Sequence, residues 1–264
     1  MMARVFFAEW RKLRRPTLFL GTMAAVMSVT ALVTSLLFLL IDSTRGNARE
    51  GMIITRGTLA LPHGLSLGFS SSAGLLGLVA LCVFASQTAQ EYTYGTLRNL
   101  LVRQPRRLTL LAGKFFSMAV FALISVAVSL VVSISLAFAL SGKAKVVTTA
   151  WTTAEARTSL IHTFINVFIS VLAYGAIGMI LGLLLRSPIT SISIGVAWLL
   201  VVESIISVTV KHSGKWMPGQ LTQTIAAGGD FNATYLHAIT VLGAYLLFGV
   251  LVVSVLFRRR DVGN

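Results

Sequence analysis

The sequence predicts an all-α polytopic membrane protein: six transmembrane helices, an N-terminal interfacial helix and a short amphipathic helix between spans two and three. Composition is the first observation. Hydrophobic residues make up 56% of the 264, charged residues only 11%, and the mean hydropathy is +0.85. A water-soluble surface needs about 25–35% charged residues, so one or two soluble domains are excluded, as is a disordered chain. The second observation is a set of six apolar stretches long enough to cross a hydrocarbon core of about 20 helical residues. They fall at 17–41, 65–86, 115–140, 160–185, 188–210 and 235–257. The runs are continuous rather than alternating, which excludes transmembrane strands. The third is the charge. A formal +14 would point to nucleic acid in a soluble protein, but here the basic residues flank apolar stretches, where they set topology and meet lipid headgroups. No nucleic-acid partner is expected.

The N-terminal segment 3–15 precedes the first span. Phe6, Trp10 and Leu13 recur at helical spacing, and Arg4, Arg11, Arg14 and Arg15 lie elsewhere around the helix. Apolar period, a boundary Trp and basic residues together predict a helix lying in the membrane interface. Phe6, Trp10, Arg11, Arg14 and Arg15 are its expected membrane contacts, and Pro16 ends it. The first span is too long for the apolar core of a signal peptide, and no A-x-A site follows, so it is read as uncleaved.

Orientation follows from the loops. Of the 22 basic residues, 14 fall on the side that holds both termini, the 87–114 loop and Arg186. The positive-inside rule therefore puts both termini in the cytoplasm, with Arg258, Arg259 and Arg260 closing the last span. The longest segment outside the spans is the 87–114 loop, so the chain is one membrane domain, 1–264.

That loop is the informative stretch. Glu91 opens it, Gly95 follows, and Leu97, Leu100 and Leu101 make a short apolar face beside Arg98, Arg103, Arg106 and Arg107. Pro105 stops the helix and Lys114 stands where the third span begins. An amphipathic helix over 90–104 is too short to cross; one face can lie under the membrane domain while the other meets a soluble partner.

E-Y-T-Y-G-T-L-R-N-L-L, followed by Pro105, Arg107 and Gly113-Lys114, resembles the inner loop of ABC type-2 transporter permeases. The N-terminal A-E-W-R-K-L-R-R is similar to the interfacial connecting helix of that family, and six spans with both termini inside also match. The resemblance implies that 90–104 is a cytoplasmic coupling helix docking on a separate ATPase, with Glu91, Gly95, Thr96, Leu97, Arg98 and Leu101 as the receiving surface. It implies a second permease copy or a sister permease, and a place in the bacterial cytoplasmic membrane. It also implies export of a hydrophobic or amphipathic substrate: a drug, an antimicrobial peptide or a lipid. No G-x-x-x-x-G-K-[ST] occurs, so no cofactor is expected in this chain; ATP and Mg²⁺ would sit on the ATPase subunit, and the chain is not expected to be an enzyme by itself. The alternatives are a polytopic membrane enzyme acting on lipid-linked substrates and a secondary transporter.

Other residues invite a role. Glu203 is the one acidic residue within an expected span. A carboxylate there costs about 2.5–3.5 kcal/mol at mid-span, so it either lines a translocation path or makes a structural hydrogen bond between helices. Ser129 and Ser133 belong to a four-residue repeat of small residues in the third span, and Gly178 and Gly182 form G-x-x-x-G in the fourth. Both allow close helix approach, within a subunit or across a dimer seam. Segment 215–229 is either a re-entrant helix or a plain outer loop. His63, His162, His212 and His237 are scattered with no metal-binding spacing, and the single Cys82 cannot form an intrachain disulfide.

Overall fold

The computed structural model describes residues 2–41, 55–96, 107–230 and 233–259. Helix α1 spans Met2–Leu13, α2 Pro16–Leu39, α3 Arg56–Ala60 and α4 Gly64–Thr93. After these come α5 at Arg107–Ser141, α6 at Ala154–Leu185 and α7 at Pro188–Thr209. The chain ends in α8 at Pro218–Ala227 and α9 at Tyr235–Arg259. No strand occurs among the described residues. Six of these helices (α2, α4, α5, α6, α7 and α9) are long and apolar enough to cross a membrane, and the protein is an all-α polytopic membrane protein.

Two of the spans outrun their apolar stretches toward the 97–106 segment. α4 continues past the expected end at 86 to Thr93, and α5 starts at Arg107 rather than 115. Each extension is about 10 Å of helix. Hydropathy marks where hydrocarbon ends, and a helix with good polar helix formers continues beyond it. The extensions overturn one expectation. Glu91 sits in the last turn of α4, not in the first turn of a separate amphipathic helix. Tyr94 is the C-cap, and Gly95 follows it at φ +64, the left-handed conformation that ends helices at least cost in glycine. Leu97, Arg98 and Leu101, the core of the expected coupling helix, lie outside the described residues.

α4 is the hub. It packs against α2, α5, α6, α7 and α8. Its closest neighbour is α6: a Cβ added to Gly178 would lie 2.4 Å from the Leu81 carbonyl oxygen, and one on Gly182 would lie 2.9 Å from that of Ala85. That G-x-x-x-G is therefore spent on a contact within the subunit. Ser129 and Ser133 of α5 meet α2, where their hydroxyls pair with Thr30 at 2.7 Å and Thr34 at 3.2 Å. α1 packs along the first turns of α5, which puts it at the same end of the bundle as the end of α4. The opposite end is closed by a small apolar cap. Phe38, Leu59 and Trp151 are buried there, and the Trp151 indole N–H donates to the Leu59 carbonyl at 2.9 Å.

α7 shows how a span adapts to a polar residue. Its buried positions are Ser191, Gly195, Leu199 and Glu203, four apart, while its other faces are open or half-open. In an α-helix residues eight apart are about 80° out of register. A π turn at Trp198–Val202 widens the helix and cancels much of that drift, keeping the stripe against α4 and α8. α8 descends from the end opposite α1 into the bundle and packs on α6, α9 and α4. Its Gln223 reaches Gly74, about 15 Å along α4 from Gly64. Segment 215–229 is thus built around an inserted helix rather than a plain loop.

Candidate functional site

Within a membrane chain so poor in acids, the densest charge cluster is the best site candidate, and it forms at the α1 end. α1 presents Val5, Glu9 and Leu13, four residues apart, as its buried stripe. This differs from the expected apolar face. Phe6 and Trp10 are half-buried at the margin of the stripe, with near-parallel rings 6.4 Å apart, and Leu13 alone is fully inside. Arg11, Arg14 and Arg15 are exposed on the other side. A glutamate at the centre of a buried stripe must find a cation, and the fold supplies two.

Lys114 Nζ lies 2.8 Å from Glu9 Oε2 and 2.7 Å from Glu91 Oε1. Lys12 Nζ lies 2.6 Å from Glu9 Oε1 and 2.8 Å from Glu91 Oε1. The four charges close a neutral ring, Glu9–Lys12–Glu91–Lys114, in which signs alternate. Three helices contribute: α1 gives Glu9 and Lys12, the last turn of α4 gives Glu91, and α5 gives Lys114. Glu9, Glu91 and Lys114 are buried, and Lys12 keeps about a third of its side chain exposed.

The electrostatics are those of a clamp. Burial pushes the Glu9 carboxyl up, but the ammonium groups of Lys114 and then Lys12 outweigh it and hold Glu9 below the usual carboxylate range. Burial pushes Lys12 down, and the carboxylates of Glu91 and Glu9 outweigh that in turn, leaving its pKa raised. An acid at the C-terminal end of a helix is unfavourable to the helix dipole; for Glu91 the two lysines remove that penalty. The end of α4 is held a second time, because the Arg186 guanidinium sits 5.2 Å over the Tyr92 ring. Arg186 itself caps α6 in the left-handed conformation, at the turn into α7.

Glu9 and Glu91 lie far apart in the sequence, and the fold brings them to one pair of lysines. The signal was present. Glu9 shares the i±4 stripe of Val5 and Leu13, and Lys114 abuts an apolar span where an unpaired ammonium is costly. Gly95 and Thr96 are exposed just beyond the ring. The ring thus stands at both borders of the 97–106 segment, where Leu97, Arg98 and Leu101 belong.

Glu203 lies apart from this cluster. Its Oε1 accepts from the Gly219 N–H at 2.9 Å and its Oε2 from the Gln220 N–H at 3.2 Å. Both donors are in the first turn of α8, where backbone N–H groups have no helical partner and the dipole favours an anion. Fully buried, the carboxylate faces the start of α8 rather than an open path. Among the described residues no three His, Cys, Asp or Glu side chains come together as metal ligands.

Residues 69–263 match the family described as Protein of unknown function (DUF2705), which takes in all but the first turn of α4 and everything after it. α1, α2 and α3 precede the matched stretch. No curated protein matches the chain.

Proposed function

We propose that this chain, which belongs to the DUF2705 family, is the membrane-spanning permease subunit of an ATP-driven exporter of hydrophobic or amphipathic molecules. It would sit in the bacterial cytoplasmic membrane with both termini inside, paired with a second permease and powered by a separate ABC ATPase that holds ATP and Mg²⁺. The observation that supports this reading is the buried ion ring. Glu91 and Lys114 flank the segment whose G-T-L-R core resembles a coupling helix, and both are bonded to Glu9 and Lys12 of α1. A push on that segment by a docked ATPase would therefore reach α1, α4 and α5 together, as a rigid unit, and α4 is the hub of the remaining spans.

A membrane enzyme on lipid-linked substrates receives less support. Glu9 and Glu91 do gather at one interface, as that reading requires, but each is held by both ammonium groups rather than free to exchange a proton with a substrate. The test is affinity purification of the full chain from its native membrane. A co-purifying chain with a Walker A motif is expected, and Arg98→Glu should weaken its capture at least about tenfold, since a reversed interface charge costs several kcal/mol. Arg258→Glu, outside the proposed dock, should not. Equal capture by the Arg98→Glu variant, or no such ATPase even after crosslinking, overturns the proposal.

A further inference from the structure

α9 is the least enclosed span: 11% of its apolar window is buried, against 56% for α4 and for α6. It closes on α6 and α8 through Ala238 and Leu242, and again near its far end through Gly249 and Val253. Beside these contacts, between α9 and α5, lies a groove of about 500 Å³ open to the side. Leu111, Phe115, Ala176, Ile180, Gly243 and Leu247 line it, and Ser254 is the one polar side chain in its wall.

Length and lining select an occupant. From Gly243 to Ser254 the groove follows α9 for about 16 Å, half of a hydrocarbon core about 30 Å thick. Over that length its wall is apolar but for Ser254, a lining that suits an extended hydrocarbon chain. The charge is also one-sided. Arg107 immediately precedes Leu108 at the start of the groove on α5, and Arg258 and Arg259 follow Ser254 by one turn on α9. Neither helix contains an acidic residue.

We infer that this groove is a binding site for one acyl chain of an anionic glycerophospholipid, whose phosphate lies at the end marked by Arg107, Arg258 and Arg259. The site does not depend on coupling to an ATPase. Headgroup charge gives selectivity, and the groove gives depth and position in the leaflet on the α1 side.

The experiment uses the full chain in liposomes containing trace phosphatidylglycerol with a diazirine in its acyl chain, or phosphatidylcholine with the same chain. After photolysis, adducts are mapped by mass spectrometry. Adducts at Leu111, Phe115, Leu247 or Val250 are expected, enriched for phosphatidylglycerol. Each of Arg258→Gln and Arg259→Gln should lower that enrichment roughly fivefold. Gly243→Trp should remove the groove adducts while leaving others, because a Cβ there meets nothing within 4 Å and the ring enters the groove without displacing the fold. The arginine variants, at the last residues of α9, keep the test decisive if the tryptophan variant fails to fold. Equal labelling by the two lipids means annular lipid only and overturns the inference. So does labelling spread evenly over the exposed faces of α2 and α7.

Discussion

Replacing Lys114 by Met tests the ion ring most directly. The ammonium is almost fully buried and holds one oxygen each of Glu9 and Glu91, at 2.8 and 2.7 Å. Methionine keeps the length and the apolar stem but leaves two buried carboxylates to share Lys12. Breaking a buried pair by removing one partner costs about 3–5 kcal/mol. Lys12 still bonds both acids and is partly hydrated, so the lower end applies, about 3 kcal/mol. The assay is a double-mutant cycle on unfolding free energy in mixed micelles, with Glu91→Gln as the second change. In the Lys114→Met background Glu91→Gln restores neutrality, so it should cost at least about 1 kcal/mol less than in the wild type, within the range measured for contacting residues. Tryptic cleavage after Arg11 should accelerate in Lys114→Met and slow again in the double variant, since only docking of α1 protects that bond. Additivity within about 0.3 kcal/mol, with unchanged cleavage, would refute the reasoning that the four charges act as one unit.

Three further outcomes follow from the same structure. Glu9 has a folded pKa below its unfolded value of about 4.3, so its contribution to α1 docking is present above that pH and lost as pH falls through the lowered value. Lys12 is raised above about 10.4, so its contribution is complete below that pH and lost as pH rises through the raised value; Trp10 fluorescence should therefore be flat from about pH 5 to 10, and a transition near neutrality would contradict the ring. Glu203→Ala should destabilise α8 by about 1–3 kcal/mol, because two first-turn N–H groups lose their acceptor, and should make a cysteine at Thr222, now fully buried, react with a small thiol reagent; unchanged reactivity counts against the helix-capping role. Gly178→Ala drives a methyl group into the Leu81 carbonyl and should cost about 1–3 kcal/mol of stability, read as a lower melting temperature; wild-type melting would show that α4 and α6 are not so closely apposed.

How much of this was legible in the sequence depends on range. The six spans were, because about 20 contiguous apolar residues need no partner to be recognised. The ring was not, because three of its four bonds join residues 79, 23 and 105 positions apart and periodicity says nothing about which helices meet. α1 was recognised as a helix from Phe6, Trp10 and Leu13, yet its buried stripe is centred on Glu9, a residue that only a buried cation makes acceptable there. Gly95, expected on the surface that receives an ATPase, has a local reason first: its positive φ stops α4. The π turn before Glu203 left no trace in composition, since the same apolar residues fit α and π geometry alike.

The ring also fixes an order of events during synthesis. Glu9 and Lys12 leave the ribosome about a hundred residues before Lys114. At about 5–20 residues per second that is roughly 5–20 s. Through that interval α1 has no completed ion ring to enter, and without Lys114 the buried carboxylates of Glu9 and Glu91 would share Lys12 alone. The N-terminal helix must therefore wait undocked until α4 and the start of α5 have both been inserted. Docking of the first helix is a late step, and a chain arrested before residue 114 carries its N-terminus undocked.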